Sequence, residues 1–264
     1  MNISAETVLE YMIAAEHSAA EIVLSARGVK TENKTSSRDV VTQYDKRVQQ
    51  LLVERLSEKV PGAAFFCEEN FLQDSTSAEH VFIIDPIDGT MNFVRHMNHS
   101  CISAAYMHCG TVEAAAVYDP YANELFTAVK GKGAKLNGRP VCAEDAPLKE
   151  TVFMLGSSPY RPDLADETFR LAKLAFEESL DMRRFASAEL DLCALAAGRA
   201  GLFFELSLSL WDYAAGALLV SEAGGICTDI NGDPLPYDGR KSSVLAGSRQ
   251  AYGDFYKLLK RKEN

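Results

Sequence analysis

The sequence predicts an α/β (α+β) fold, and three observations along the chain predict it. Short apolar runs between residues 101 and 129 alternate with polar turns, which is typical of antiparallel strands. After residue 147, strand-like and helix-like segments alternate, as in proteins whose helices cover a sheet. Before both regions, residues 81–84 are four apolar residues in a row and indicate a fully buried strand. This change in pattern predicts two subdomains, residues 1–145 and 146–264.

Helical periodicity and end signals predict two helices at the start of the chain. In the first, over residues 4–27, apolar side chains form one stripe, Ser4 can cap the N-terminus and Gly28 can end the helix. The second is predicted over residues 43–59, ahead of a Pro-Gly pair. The polar residues between them, 28–38, predict a loop.

The predicted strands of the first part are short and apolar. One of them leads into the acidic pair Glu68-Glu69, and another is the buried run that Pro86 is expected to end. A Gly-rich hairpin over residues 131–138 closes this part. The predicted strands cover residues 63–67, 81–84, 101–107, 112–118 and 124–129.

The second part is predicted to alternate strands and helices after a polar, proline-containing boundary at residues 143–149. The predicted strands cover residues 152–156, 182–185, 202–205, 226–229 and 243–246. The predicted helices cover residues 163–180, 189–197, 211–222 and 249–261.

The charge and composition of the chain limit which partners it can bind and in which compartment we expect it. The formal net charge of −10 argues against nucleic acid or an anionic membrane as a partner, because little basic surface would offset phosphate charge. No apolar run reaches about 18 residues, and the first ten residues lack the pattern of a signal peptide, so we expect a cytoplasmic protein. The six cysteines show no C-x-x-C spacing and are expected to be reduced structural thiols.

The turn after the buried run carries the clearest chemistry. Asp85 and Asp88 lie three residues apart, and two carboxylates in one turn repel each other unless a cation lies between them. The Gly89-Thr90 pair that follows is suited to start a helix whose free N–H groups point outward. We interpret this turn as a site for a hard metal ion that faces a phosphate site.

Other candidate residues have an ordinary structural interpretation beside the functional one. The Glu68-Glu69 pair could be a solvated loop. Asp45 in Thr-x-x-Asp and Asp212 in Ser-x-x-Asp both match helix capping patterns, so spacing alone leaves their roles open. The five histidines, among them His80 and His108, lack convincing ligand spacing and predict no zinc site.

Four motifs, in order along the chain, carry a resemblance to a known family. They are Glu68-Glu69, Asp85-Pro86-Ile87-Asp88-Gly89-Thr90-Met91-Asn92-Phe93, Trp211-Asp212-Tyr213-Ala214-Ala215-Gly216 and Glu222-Ala223-Gly224-Gly225. Together they resemble the inositol monophosphatase family over essentially the whole chain. Two further segments look like the family's N-terminal and substrate-side segments: Lys34 with Asp39-Val40-Val41-Thr42 and Asp45, and residues 184–190 with Phe203-Phe204-Glu205.

The resemblance implies a layered α/β/α/β/α fold and Mg²⁺-dependent hydrolysis of a phosphate monoester, with inositol monophosphate as the leading substrate. It implies two or three Mg²⁺ ions, most of whose ligands fall in residues 1–145. By similarity, the metal ligands are Glu68, Asp85, the Ile87 carbonyl, Asp88 and Asp212. Thr90, hydrogen-bonded to Asp45, would orient and deprotonate the attacking water. Glu68, also a catalytic candidate, would help to hold a third ion through a water molecule. The backbone amides of Gly89 and Thr90 would hold the phosphate.

The substrate side departs from the family pattern. By similarity, the substrate contacts are Asp88, Ser187, Ala188, Glu189, Glu205 and Asp212. Ala186 and Glu189 stand where the family often has other residues, and Glu189 could either accept hydrogen bonds from a polyol or face solvent. The alternatives are therefore the same chemistry on 3′-phosphoadenosine 5′-phosphate, NADP or fructose 1,6-bisphosphate, and a non-catalytic protein that binds metal or a phosphorylated ligand. The resemblance also implies inhibition by Li⁺ and a homodimer.

Overall fold

Helices and sheets stack in five alternating layers in this protein. The structure is a computed structural model that describes residues 3–36, 39–69 and 76–261. In the described chain the α-helices are α1 (Ala5–Leu24), α2 (Gln43–Lys59), α3 (Thr90–Val94), α4 (Ala165–Glu177), α5 (Ala188–Ala196), α6 (Ala214–Glu222) and α7 (Arg249–Arg261). Short 3₁₀ turns cover Leu148–Glu150, Pro162–Leu164 and Leu210–Asp212.

A hairpin and a seven-stranded sheet make up the β-structure of the first half. The hairpin pairs β1 (Thr31–Ser36) with β2 (Asp39–Thr42). The sheet follows chain order, with its first two strands parallel and the remaining pairs antiparallel. Its strands are β3 (Ala64–Cys67), β4 (His80–Asp88), β5 (Cys101–His108), β6 (Thr111–Asp119), β7 (Glu124–Val129), β8 (Ala134–Leu136) and β9 (Arg139–Val141).

The second half carries a five-stranded mixed sheet in the order β11-β10-β12-β14-β13. β10 lies parallel to both of its neighbours, and β14 lies antiparallel to both of its own. The strands are β10 (Val152–Leu155), β11 (Asp181–Arg183), β12 (Leu202–Leu208), β13 (Ile226–Thr228) and β14 (Ser242–Gly247). The division into subdomains at residues 143–149 stays a prediction.

Three clusters of buried apolar side chains bind the layers together. α1 and α2 pack on one face of the seven-stranded sheet, around residues such as Met12, Leu52 and Phe82. α5 and α6 fill the space between the two sheets, and α4 and α7 cover the outer face of the five-stranded sheet. Both faces of β4 and β5 are therefore covered, which explains why these strands show continuous apolar runs in place of alternation.

The structure corrects two sequence-based predictions. Thr31–Ser36 is a strand within the region predicted as a loop, because it pairs with β2, which polarity along the chain could not reveal. Pro86 does not end β4: the pairing with β5 shifts between Asp85 and Asp88, so that the proline sits in a bulge, where its missing N–H is tolerated. Residues 37–38 and the side chains of Lys34 and Asp39 lie outside the described residues.

The expectations about membranes and cysteines meet simple findings. Among the described helices, none is both long and apolar enough to cross a bilayer. None of the six cysteines, all of which the structure describes, forms a disulfide, and Cys67, Cys101 and Cys193 are buried.

Candidate active site

A cavity of about 410 Å³ opens where β4, α5 and the end of β12 meet. Several sequence-predicted site residues line it, from both halves of the chain: Glu68, Asp88, Gly89, Thr90, Ala188, Glu205 and Asp212. Val40, Met91, Asn92, Gly156, Ser157, Pro159, Tyr160, Arg184, Ala186 and Leu208 complete the lining. The long-range topology therefore gathers most of the predicted residues around one space.

The bulge in β4 sets the directions of its two aspartates. Side chains three residues apart on a regular strand point to opposite faces, and one extra residue in a bulge offsets that alternation. Asp85 is buried and its Oδ1 accepts a hydrogen bond from the Ile87 N–H at 3.0 Å. This bond shapes the turn that leads from Asp85 to Asp88.

Asp88 is held by the first turn of α5. Its Oδ2 accepts hydrogen bonds from the Ser187 hydroxyl at 2.6 Å and from the Glu189 N–H at 2.8 Å. Burial raises the pKa of Asp88 to about 6, since the hydrogen bond from Ser187 offsets only part of the desolvation and the charge of Glu68 adds to it. Ser187 and Glu189 therefore act here as supports of a carboxylate.

Thr90 and Asp45 meet as the resemblance implies. The Thr90 hydroxyl lies 3.3 Å from Asp45 Oδ1 and 3.1 Å from the Ile87 carbonyl oxygen, and it can donate to either. Asp45 also belongs to a capping box, in which its Oδ2 accepts the Thr42 N–H at 2.8 Å and a short hydrogen bond from the Thr42 hydroxyl. The structure thus shows the capping and the Thr90 contact together in one fully buried carboxylate.

Gly89 occupies a position that only glycine fits. Its φ of +85° lies in the left-handed region, and a Cβ there would lie 3.1 Å from the His99 carbonyl oxygen and 3.3 Å from that of Ala186. The Asn92 amide donates to the carbonyl oxygens of His99 at 2.8 Å and Phe185 at 2.6 Å. These contacts draw the segment before α5 against the start of α3, at the cavity wall.

The acidic residues of the site offer carboxylate oxygens as ligand atoms for a metal ion. Carboxylate oxygens of Asp45, Glu68 and Glu69 lie within 4.8 Å of one another. Burial, together with the charges of Glu68 and Asp88, raises the pKa of Asp212 well above its usual range. Its Oδ2 accepts the Ser209 N–H at 2.6 Å. Carboxylates that raise one another's pKa fit a hard divalent cation, which would offset their repulsion. Glu69, left unassigned by the sequence, joins this group.

Comparisons with known proteins identify the family of this chain. The family model described as the inositol monophosphatase family matches residues 4–263. The chain belongs to the inositol monophosphatase family. It is 38% identical to the Nus factor SuhB of Vibrio cholerae over 214 residues. The aligned region covers 81% of this chain and 80% of that protein.

Two solved structures have the same fold. The extragenic suppressor protein suhB of Bartonella henselae is 31% identical, with a TM-score of 0.89 over 96% of this chain and 98% of that one. The Thermotoga maritima IMPase TM1415 is 28% identical, with a TM-score of 0.86 over 96% of each chain. The layered fold predicted from the resemblance is thereby confirmed.

This family member buries both glutamates that were predicted to contact substrate. Glu205 Oε1 accepts the N–H and the hydroxyl of Ser158 at 2.8 and 2.9 Å, and burial raises the pKa of Glu205 to about 7. Glu189 is fully buried, and its Oε2 accepts the Gly216 N–H at 2.6 Å. The suggestion that Glu189 faces solvent is therefore wrong. Its side chain is hydrogen-bonded to the backbone of α6, so the structure gives no support for a contact between Glu189 and a polyol either.

Sequence reasoning missed Asp191 and Ser158. Asp191 is buried in α5, its Oδ1 accepts no hydrogen bond from any described residue, and burial raises the pKa of Asp191 well above its usual range. Ser158, at a φ of 38°, anchors Glu205. Neither residue lies in a recognisable motif, although the two acids in the first turn of α5 are a weak signal for Asp191.

Proposed function

We propose that this protein is a Mg²⁺-dependent phosphatase that hydrolyses a phosphate monoester, with inositol monophosphate as the leading substrate. The observation that carries the proposal is the contact between Thr90 and buried Asp45 at the edge of a cavity lined by Glu68, Asp88 and Asp212. A hydroxyl paired with a carboxylate beside further acidic groups is suited to activating water for attack on phosphorus.

The proposed metal ligands are Glu68, Asp85, the Ile87 carbonyl, Asp88 and Asp212, for two or three Mg²⁺ ions. Oxygen-only donors are what Mg²⁺ prefers, and family membership supports this choice. When bound, the metal supplies Lewis-acid chemistry that lowers the pKa of water and stabilises charge on the leaving oxygen. Glu68 also belongs to the cluster with Asp45 and Glu69, so this cluster adjoins the proposed metal ligands.

The chain's own residues would position the water and the phosphate. The Thr90 hydroxyl donates toward Asp45 Oδ1, so it can accept a proton from water as its own proton passes to the carboxylate. Thr42 fixes the other oxygen of Asp45, which keeps Oδ1 directed at Thr90. The N–H groups of Gly89 and Thr90, at the start of α3, would hold the phosphate oxygens.

The released alcohol would be recognised on the side of the cavity formed by the second half of the chain. Ala188, Glu205 and Asp212 line this side, together with Arg184. About 410 Å³ falls within the usual range for small-ligand sites and suits a ring-sized polyol phosphate. The alternative esters are 3′-phosphoadenosine 5′-phosphate, NADP and fructose 1,6-bisphosphate. Comparing kcat/KM across this panel in millimolar Mg²⁺, with and without Li⁺, would rank them.

Asp88→Asn tests the proposed chemistry directly. We expect phosphate release to fall about 10²–10³-fold, because an amide replaces an anionic oxygen at the metal site. Asp166→Asn, an exposed change on α4, is the matched control and should leave the rate unchanged. The proposal is wrong if wild-type protein releases no phosphate from any ester of the panel.

The names of the curated relatives favour a second candidate function. They are called Nus factor SuhB, so this chain could serve as a factor whose role does not depend on catalysis. The same Asp88→Asn variant separates the candidates, since a non-catalytic factor would keep its biological role when phosphate release is lost. The absence of nucleic-acid binding stays a prediction from the net charge of −10, and a gel-shift titration at low salt would check it.

We also propose a cytoplasmic location and a homodimer. An exposed apolar surface on α4 and β11 supports the dimer: Phe169 is 65% and Phe176 57% exposed, and both line one groove with Met182. Sedimentation of wild-type protein and of Phe169→Ser/Phe176→Ser would check the dimer: we expect the variant to be a folded monomer.

A further inference from the structure

Two histidines that look isolated in the sequence meet at the start of β4. His80 opens β4 and His108 ends β5, and the antiparallel register places them directly opposite each other. Their rings stack with centroids 5.1 Å apart and an interplanar angle of 18°. Together with Glu79, they offer ligand atoms that all lie within 4.8 Å of one another. The strand register thus brings together two histidines that lie 28 residues apart in the sequence.

The two imidazoles present the same nitrogen to one carboxylate. Nε2 of His80 and Nε2 of His108 each lie 3.7 Å from Glu79 Oε1. The opposite nitrogens face other oxygens: His80 Nδ1 lies 2.6 Å from the Tyr106 hydroxyl, and His108 Nδ1 lies 3.7 Å from Glu113 Oε1. Inner nitrogens that lie near one carboxylate, with the outer nitrogen of His80 hydrogen-bonded to an oxygen, fit a histidine-rich metal site.

We propose that Glu79, His80 and His108 form a binding site for one divalent transition-metal ion of the zinc class. Imidazole nitrogens with one carboxylate suit Zn²⁺, whereas Mg²⁺ prefers oxygen ligands throughout. The Glu79 side chain is 70% exposed, so the site is open to solvent for metal entry and for a water molecule as fourth ligand. This proposal is independent of the phosphatase proposal.

The Tyr106 hydroxyl can hold the proton of His80 on Nδ1, which leaves Nε2 free to bind a metal ion. A metal on Nε2 requires the proton to be on Nδ1, where it donates to the Tyr106 oxygen. Without metal, the hydroxyl can instead donate to Nδ1, which leaves the proton on Nε2 toward Glu79. The Tyr106 ring is buried, and desolvation raises the pKa of Tyr106 to about 12, so the hydroxyl keeps its proton in the metal-free protein.

The site is well separated from the carboxylates at the other end of the same strand. His80 and Asp88 lie eight positions apart on β4, roughly 26 Å at the usual rise of a strand. A bound ion would join the start of β4 to the turn between β5 and β6, where the Cys109 N–H already donates to the Glu79 carbonyl at 2.9 Å. We therefore expect Zn²⁺ to stabilise the fold without competing with Mg²⁺.

The test is a Zn²⁺ titration of the metal-stripped full chain in millimolar Mg²⁺, followed with a competing chelator dye. We expect one equivalent of Zn²⁺ that Mg²⁺ does not displace, and a rise in Tm on binding. His80→Gln, His108→Gln and Glu79→Gln should each weaken binding more than about tenfold, and Tyr106→Phe should weaken it about tenfold. Glu79→Gln changes an exposed side chain, so misfolding cannot mimic its effect.

Two controls separate this site from other zinc ligands. His17→Ala removes a histidine on α1, and Cys109→Ser removes the thiol nearest the site; both should keep the affinity of wild type. Long-range ¹H–¹⁵N spectra should show Zn²⁺ on the Nε2 atoms of His80 and His108. Unchanged affinity in the His80→Gln/His108→Gln double variant, or displacement of Zn²⁺ by Mg²⁺ in wild type, would overturn the proposal.

Discussion

Two short segments, residues 42–45 and 209–212, have the same local hydrogen-bond pattern but lie in different surroundings. In each, the carboxylate of the fourth residue accepts the N–H of the first: Asp45 Oδ2 from Thr42 at 2.8 Å, and Asp212 Oδ2 from Ser209 at 2.6 Å. Each bond satisfies a backbone donor at a helix start. By local chemistry alone, the two segments are equivalent.

What differs is the neighbourhood of each carboxylate. Asp45 directs its Oδ1 at the Thr90 hydroxyl, which comes from another element of the first half. Asp212 comes from the second half and meets the charges of Glu68 and Asp88, which add to the effect of burial on its pKa. A capping carboxylate uses one oxygen for the helix, and the tertiary structure decides what the other one faces.

Of the substitutions in the two capping segments, Asp212→Asn is expected to have the largest effect. The amide can still cap the helix, but it cannot supply an anionic oxygen to a metal. We expect kcat/KM to fall about 10²–10³-fold. The increase of Tm with Mg²⁺ concentration should also shrink. A calorimetric series in Mg²⁺ measures this, and an unchanged series would mean that Asp212 is only a cap.

The next effect is expected from Asp45→Asn. Here kcat should fall about 10²-fold, because the carboxylate can no longer take a proton through Thr90. Mg²⁺ should still raise Tm as in wild type, and the additional change Thr90→Val should cost little more, since the two residues act as one unit. If the effect of Mg²⁺ on Tm is lost, Asp45 acts as a metal ligand with Glu68 and Glu69, whose oxygens lie within 4.8 Å of it.

The sequence could predict most elements, because their signals are local. The ends of α2 follow from a Thr cap and a Pro-Gly pair, and the predicted bounds agree with Gln43–Lys59. The residues that escaped prediction depend on pairing across the sheets. β1 is polar and exists because β2 pairs with it, and His80 meets His108 only through the register of β4 and β5.

The candidate site shows the same limit. The D-P-I-D-G-T motif could be recognised from its own residues, but the burial of Glu189 depends on contacts with α6, in which Gly216 leaves room for the carboxylate. A Cβ on Gly216 would lie 2.7 Å from Glu189 Oε2, so the two positions are matched across 27 residues. Such matching is not visible in either segment taken alone.

Glu16 is a buried carboxylate that lies outside both capping segments. It lies on α1 with no exposed area, and neither side-chain oxygen accepts a hydrogen bond from the described residues. Burial, with a contribution from the charge of Glu189, raises the pKa of Glu16 well above 4.5. Below pH 4.5 both folded and unfolded chains hold the proton. Above it, only the unfolded chain releases the proton readily, so the free energy of unfolding falls as pH rises.

Glu16→Gln should remove this dependence. Near pH 4 the variant and wild type should unfold with similar free energies, and by pH 8 the variant should be more stable by about 1–3 kcal/mol. Urea denaturation at several pH values measures the difference. Glu21→Gln, an exposed change on the same helix, is the control. A difference that does not grow with pH would mean that Glu16 has a cationic partner when the protein is folded in solution.

The smallest effect is expected from Thr42→Ala, which alters the first capping segment and leaves the Asp45 side chain itself in place. The Thr42 hydroxyl accepts the Tyr44 N–H at 3.0 Å and donates to Asp45 Oδ2. Its loss should lower the free energy of unfolding by about 1 kcal/mol, whereas Thr42→Ser should keep both bonds. If the carboxylate of Asp45 is held for Thr90 by this hydroxyl, kcat will also fall in Thr42→Ala and recover in Thr42→Ser. If only stability changes, the Thr42 N–H and the Thr90 contact suffice to orient Asp45, and the hydroxyl serves the helix alone.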